Sequence, residues 1–243
     1  MEENIFSLSP MDKERFGVEI GKVFITKPDM VESVLEDAAA KQAKMIIARC
    51  KAENMTAAQE LEKRGFFLTD TLVYYTYRLQ PKPRALETPG YIIRSCSIDE
   101  ASQIKDVSTK AFAGYFGHYH ADQRLDKTKC DEVYQDWAYR SCAYKTDRDD
   151  VLVAEENGKL IAFATMRLNT DSEGEGVLFG VDPDHQGKGI YKQLILAGID
   201  WCQKRGCQQM IVSTQISNIA VQKVWVRVGF EPSYGYFTFH KWL

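Results

Sequence analysis

Val181-Asp182-Pro183-Asp184-His185-Gln186-Gly187-Lys188-Gly189-Ile190 follows the apolar run Val177-Leu178-Phe179 and opens an amphipathic run that continues to Arg205. The pattern reads as a strand, a glycine-rich turn and the start of a helix. Glycines at 187 and 189 let the main chain turn tightly and keep side chains out of the way. The first amides of a helix lack intrahelical partners and sit at the positive end of its dipole. Together they form a cradle for a pyrophosphate. The turn therefore predicts an α/β protein that holds a phosphate-bearing cofactor.

Outward from the turn, the chain shows an internal repeat. Met45-Ile46-Ile47, Asn54, Ala57 and Gly65-Phe66 lead to Leu79; Met210-Ile211-Val212, Asn218, Val221 and Gly229-Phe230 lead to Leu243. The Asn to Gly-Phe spacing is the same in both, and so is the spacing from Phe to the last Leu. Each copy predicts a strand, a loop with Asn, a short helix ended by Gly, and two aromatic-rich strands. Only the second copy has a glycine-rich turn ahead of it. Between the copies, Gln80-Pro81-Lys82-Pro83-Arg84-Ala85-Leu86-Glu87-Thr88-Pro89-Gly90 reads as a linker, because three prolines and a terminal glycine deny it regular structure. This gives a module over 1–80, a linker over 81–90 and a larger domain over 91–243. In the latter the patterns predict a strand at 91–94, a helix at 99–112, a loop at 114–129 and a helix at 131–141. An Asn157-Gly158 hairpin between strands at 151–154 and 160–168 follows.

Composition narrows the class. The chain has 243 residues, 44% hydrophobic and 27% charged, which is ordinary for a globular protein. A net charge of -3 argues against a nucleic-acid binder that relies on a strongly basic surface. No run approaches the roughly 20 apolar residues needed to span a bilayer. The start, Met1-Glu2-Glu3-Asn4, does not read as a signal peptide, so the expected location is the cytoplasm. The cysteines Cys50, Cys96, Cys130, Cys142, Cys202 and Cys207 form no C-x-x-C pair and read as free buried thiols. His118-Tyr119-His120 is too small a donor set to predict a metal.

Gln186-Gly187-Lys188-Gly189-Ile190-Tyr191 resembles the Q/R-x-x-G-x-G/A motif of the GNAT superfamily of acyl-CoA N-acyltransferases, and Asn218 through Gly229-Phe230 resembles its second motif. The element order over 91–243 also matches. The resemblance implies a GNAT fold with a mixed central sheet, preceded by a truncated, degenerate GNAT-like module. Within the superfamily, Thr214-Gln215-Ile216-Ser217-Asn218-Ile219-Ala220, Tyr119-His120-Ala121-Asp122 and Phe16-Gly17 are similar to the dTDP-fucosamine acetyltransferase family. That likeness implies acetyl transfer from acetyl-CoA to an amino sugar or nucleotide-linked amino sugar; a protein, peptide or small-molecule amine and a non-catalytic acyl-CoA-binding module remain alternatives. It implies coenzyme contacts at Phe179, Gly180, Val181, Gln186, Gly187, Lys188, Gly189, Ile190, Tyr191 and Asn218. The strand Phe179-Gly180-Val181 would splay from its neighbour and pair with the pantetheine arm. Tyr119, Asp122 and Gln215 would face the acceptor. Arg124, Arg140 and Arg167 would favour a nucleotide diphosphate if they converge.

Two positions depart from the family pattern. Tyr191 replaces the last Gly or Ala of the first motif, so its side chain must point away from the phosphate. Trp225 replaces the tyrosine that is the family's presumed acid toward the leaving thiolate. An indole N–H donates a hydrogen bond but no proton at neutral pH. A thiol titrates near 8.5, about 1.5 units above neutral, so the thiolate can leave without a dedicated acid. Trp225 could stabilise it, or Tyr234 or Tyr236 could reach it. Glu175 is a candidate base or water-ordering carboxylate, and His120 a second candidate base. Each also fits a structural role: a solvated acidic turn for Glu175, a surface loop for His120, a helix cap for Asn218. The aromatic stretch Val73-Tyr74-Tyr75-Thr76-Tyr77 could extend the larger domain's sheet or form a homodimer interface.

Overall fold

The computed structural model describes residues 5–79 and 90–243. The strands are β1 (Ser7–Leu8), β2 (Ile20–Ile25), β3 (Met45–Lys51), β4 (Phe67–Arg78), β5 (Ile92–Ser95), β6 (Asp149–Glu156), β7 (Lys159–Leu168), β8 (Glu173–Val181), β9 (Gln209–Gln215) and β10 (Glu231–Trp242). The helices are α1 (Pro10–Phe16), α2 (Met30–Ala40), α3 (Met55–Lys63), α4 (Ala101–Ala111), α5 (His118–Ala121), α6 (Lys127–Ala143), α7 (Ile190–Lys204) and α8 (Ile219–Val228). All ten strands share one mixed sheet in the order β1-β2-β3-β10-β4-β9-β8-β7-β6-β5. The α/β GNAT expectation of a mixed central sheet holds.

The repeat reappears as geometry. The runs β2-α2-β3-α3-β4 and β8-α7-β9-α8-β10 have the same order, and β2–β3 and β8–β9 are the parallel pairs. The last strand of each run sits against the other run: β10 lies between β3 and β4, and β4 between β10 and β9. Both asparagines cap the helix that follows. Asn54 accepts from the Ala57 amide and Asn218 from the Val221 amide. Gly229 ends α8 in the left-handed region at φ 106°.

Several boundaries differ from the sequence reading. The two aromatic strands expected after each Gly-Phe are one 12-residue strand in each copy, β4 and β10, whose mutual pairing is interrupted by register shifts. The expected loop at 114–129 contains the short helix α5, and α6 begins four residues early because Asp126 caps it by accepting from the Lys129 amide. Asn157 and Gly158 have positive φ, as the hairpin predicts. The linker reading at 80–89 lies outside the described residues. Val73–Tyr77 is no free edge: β4 pairs with β10 on one side and β9 on the other, so this stretch cannot join a second copy by strand pairing.

α7 and α8 cover one face of the sheet, burying Ile190, Leu194, Ile195, Trp225 and Phe230 against Tyr75, Tyr77, Met210 and Val212. Full burial of each large apolar side chain contributes roughly 1.5–3 kcal/mol. α4 and α6 cover the opposite face of β6–β8 through Ile104, Ala138 and Phe163. A further cluster of Ile20, Met45, Ile47, Tyr119 and Leu125 ties α5 and the following loop to β2 and β3. All six cysteines are free and buried; Cys96 and Cys142 sulfurs are 3.3 Å apart without a bond.

Candidate active site

β8 pairs in parallel with β9 only from Glu173 opposite Gln209 to Gly176 opposite Val212. Its remaining residues to Val181 stay paired with β7 but leave β9, and the β7–β8 register shifts between Leu178 and Gly176. Gly176 marks this bend: a Cβ there would lie 2.7 Å from the Phe179 ring. The two strands thus part into a wedge with a free backbone edge along 177–181. Gly180 has a packing reason as well, since a Cβ would meet the Phe163 ring at 2.5 Å.

The glycine turn follows directly. Asp182 accepts from the Asp184 amide at 3.1 Å and from Lys110 Nζ at 2.8 Å. The Lys110 hydrogen bond holds the Asp182 carboxyl below the usual carboxylate range. Gln186 donates its side-chain amide to the Val181 carbonyl at 3.2 Å. Gly187 and Gly189 have φ of 77° and 81°, and a Cβ on either would meet nothing within 4 Å. Glycine is therefore required here by backbone conformation, and the space above the turn is open. α7 starts at Ile190 with Gly189 as N-cap and no side-chain cap. Its first amides remain available to an anion. Lys188 is exposed on the turn, so its charge adds to the same field.

A cavity of about 930 Å³ opens from the wedge across the sheet face. Phe179, Tyr191, Asn218 and Trp225 line it at the wedge, none of residues 180–190 does, and Arg49, Asp70 and His118 line it farther along. From β3 to β8 is four strand spacings, or roughly 19 Å. Tyr191 turns its ring toward Phe179, with centroids 5.4 Å apart, and its hydroxyl accepts from Trp225 Nε1 at 3.0 Å. The two positions that depart from the family pattern are bonded to each other. The Trp225 N–H is engaged, and the phenol is what this pair presents. Burial pushes the Tyr191 phenol well up, against the pull of the Trp225 hydrogen bond.

The other expected site residues divide. Glu175, Tyr119, Gln215 and Tyr236 line the cavity. Glu175 accepts from Arg167 at 2.6 Å, Gln215 donates to Asp70 at 3.2 Å, and Tyr119 donates to Asp12 at 2.9 Å. Tyr236 packs edge-on against Tyr74 and Phe24. Asn218, besides capping α8, donates to Thr214 Oγ1 at 3.1 Å. His120 is a correction. Its Nδ1 accepts from the Gly117 amide at 3.1 Å and its Nε2 lies 2.9 Å from Asp131, so both ring nitrogens hold the loop and neither is left to serve as a base. Asp122 is another: 2% exposed and absent from the cavity wall, it accepts from Trp242 at 2.8 Å and lies 3.1 Å from His240 Nδ1. It lies behind the wall and does not face the cavity. Arg124, Arg140 and Arg167 do not converge as three, although Arg140 and Arg167 share the wall of a second, smaller pocket. Arg124 stacks over Trp242, Arg140 bonds Asp136 and Arg167 bonds Glu175.

Sequence reasoning missed Arg49, Asp70 and His118. The first two lie in the first 80 residues, where the likeness to the family is loose. Only the strand exchange brings them to the cavity. His118 differs from His120 in having one ring nitrogen without a hydrogen-bond partner among the described residues. No spacing rule separates the two. Among the described residues no group of three or more His, Cys, Asp or Glu could hold a metal.

The sequence model of the Acetyltransferase (GNAT) family matches residues 115–230. These residues, a little under half of the chain, are similar to the GNAT acetyltransferase family. The match contains the wedge, the glycine turn and the Asn218 helix. The chain is similar to a mycothiol acetyltransferase of Saccharopolyspora erythraea, 32% identical over 33% of this chain and 26% of that protein. It is also similar to the spore coat polysaccharide biosynthesis protein SpsD of Bacillus subtilis, 25% identical over 51% of this chain and 42% of that protein. The chain thus spans less than half the length of these two relatives. A GCN5-related N-acetyltransferase from Kribbella flavida shares the fold at TM-score 0.65 and 13% identity, over 92% of this chain and 81% of that one.

Proposed function

We propose that this protein is an N-acetyltransferase that moves an acetyl group from acetyl-CoA directly to a primary amine, with an amino sugar or nucleotide-linked amino sugar as the acceptor. The observation that carries the reading is the parting of β8 from β9 immediately before the glycine turn. The exposed β8 edge can hydrogen-bond an extended pantetheine arm, while the α7 amides take the pyrophosphate. The same edge supplies N–H donors to the thioester oxygen as negative charge develops there. The amino-sugar part draws on the likeness to SpsD and on the aromatic, polar walls of the cavity.

In this reading the acceptor nitrogen attacks the thioester carbonyl carbon. The C–N bond forms, the C–S bond breaks, the nitrogen gives up its proton to water, and the coenzyme A thiolate leaves. Tyr191 is the group we place at the thiolate. Its oxygen accepts from Trp225, and among the described residues its own O–H has no acceptor. That proton is free to pass to sulfur, a role that Trp225 cannot fill. The first run of the repeat, β2 to β4, is then a truncated copy of the same fold that lacks the glycine turn and contributes a cavity wall.

The test is calorimetry with acetyl-CoA followed by a turnover screen over amino sugars, nucleotide-linked amino sugars, polyamines and peptides. Tight binding and turnover of an amino sugar are expected. Tight binding with no turnover on any amine would leave an acyl-CoA-binding module and sink the enzyme reading.

A further inference from the structure

We propose that Arg49 is an anion anchor for the acceptor, so that the molecule acetylated carries a phosphate or carboxylate. This rests on the acetyl-transfer reading and assigns the acceptor's chemical class.

Arg49 is half-buried on β3 and lines the cavity. Its guanidinium makes no hydrogen bond or ion pair among the described residues, although its charge is felt at Asp70 and His118. A guanidinium partly removed from water with its five N–H donors unmatched is costly. The fork fits a phosphate or carboxylate in two-point contact. The carboxylate nearest in the sheet does not meet this need. Arg49 and Asp70 flank Thr238 in register, so all three share the cavity face. Yet Asp70 engages the Thr71 amide at 2.7 Å and Gln215 at 3.2 Å instead. Between them the Thr238 hydroxyl is wholly buried and has no partner among the described residues.

A second group at the same end is fixed for recognition. Asp122, held below the usual range because hydrogen bonds from His240 and Trp242 outweigh its burial, accepts from His240 Nδ1–H. His240 Nε2 must then accept from His118 Nδ1–H, at 3.0 Å. This leaves His118 Nε2 with a lone pair in a residue of the cavity wall. Arg49 thus supplies donors and His118 an acceptor, which suits an anionic group beside a hydroxyl. The amine end of the acceptor lies toward the wedge, with Asp70 and Glu175 on its path. At the β8 end Glu175 is already paired with Arg167, which also lines the cavity, so Arg49 is the cavity-lining guanidinium without a partner among the described residues.

Binding is measured with coenzyme A saturating, so that the glycine turn is filled. The probes are glucosamine, glucosamine 1-phosphate and glucosaminic acid, which separate phosphate from carboxylate. At least one anionic probe is expected to bind roughly tenfold or more tightly than glucosamine, as a charge-assisted contact implies. Arg49→Met should abolish that excess and Arg49→Lys keep part of it. Because Arg49 hydrogen-bonds no other side chain among the described residues, the Met variant should still fold and melt in one cooperative transition. No excess for either anion, or an excess that survives in Arg49→Met, overturns the proposal. Turnover is not required, so this outcome is separate from failure of acetyl transfer.

Discussion

Tyr191 and Trp225 show how two substitutions can be read together. Singly, each looks like damage to a motif; bonded, they put a phenol where position 225 has only an indole. Tyr191→Phe should leave acetyl-CoA affinity nearly unchanged and slow acetyl transfer. General-acid help is typically worth 10²–10⁴, and the low thiol pKa places the loss near the bottom of that range, about 10²-fold. Single-turnover rates with calorimetry check it; an unaltered rate removes Tyr191 from the mechanism. The same change strands the Trp225 N–H, so a stability loss of about 1–3 kcal/mol should accompany it, and Trp225→Phe added on top should recover part. The histidines make a second residue-scale prediction. Burial holds both His118 and His240 below the ordinary histidine value, with Arg49 adding to the effect at both, Lys22 at His118, and Asp122 opposing it at His240. Their neutral forms are favoured in the fold, whereas the unfolded chain protonates near 6.5. Stability contributed this way is full above about pH 6.5 and is lost as pH falls below it, where the unfolded chain binds more protons. The melting temperature should drop between about pH 7 and 5, and His118→Gln should flatten that drop.

At the scale of elements, the proposed function divides the holding of the coenzyme between the glycine turn and the wedge. Gly187→Ala places a Cβ in open space but in left-handed backbone, at a cost of roughly 1–2 kcal/mol. A small loss of melting temperature and a larger loss of acetyl-CoA affinity are expected, because strain relieved by moving the turn misaligns the amides. A calorimetric affinity equal to the parent's would show that the turn does not bind the pyrophosphate. This element was legible from residues because its chemistry is local: apolar run, two glycines, amphipathic run. The repeat was legible for the same reason, through Asn54 and Asn218 at matching offsets. The acceptor wall was not. His120 drew attention by its sequence neighbours, but its ring nitrogens are engaged by Gly117 and Asp131, while the usable lone pair falls on His118. Hydrogen-bond partners decide such cases, and they come from distant segments, as the pairing of His118 with His240 shows.

The whole molecule is organised by the exchange of β4 and β10. Strand pairing follows the hydrophobic pattern, and two copies of one pattern can satisfy each other as well as themselves, so periodicity alone cannot reveal an exchange. Its consequence is that neither run completes a sheet alone. β10 has both its neighbours, β3 and β4, in residues 5–79, and β9 has β4 as its neighbour on that side. Tyr75 lies 5.4 Å from the Trp225 ring and Tyr77 5.2 Å from Phe230, so the core beneath α8 is partly built by the first 79 residues. Tyr77→Ala should therefore destabilise the chain by about 3 kcal/mol in one cooperative transition and weaken acetyl-CoA binding near its melting point, although it lies far from the turn in sequence. Produced alone, residues 90–243 should expose the β9 edge and aggregate. Co-expression with residues 1–79 should restore a soluble one-to-one complex that binds acetyl-CoA. A monomeric, cooperatively melting 90–243 fragment with the parent's coenzyme affinity would mean that β10 can take the place of β4 beside β9. The exchange would then be one of two accessible pairings and not a requirement of the fold.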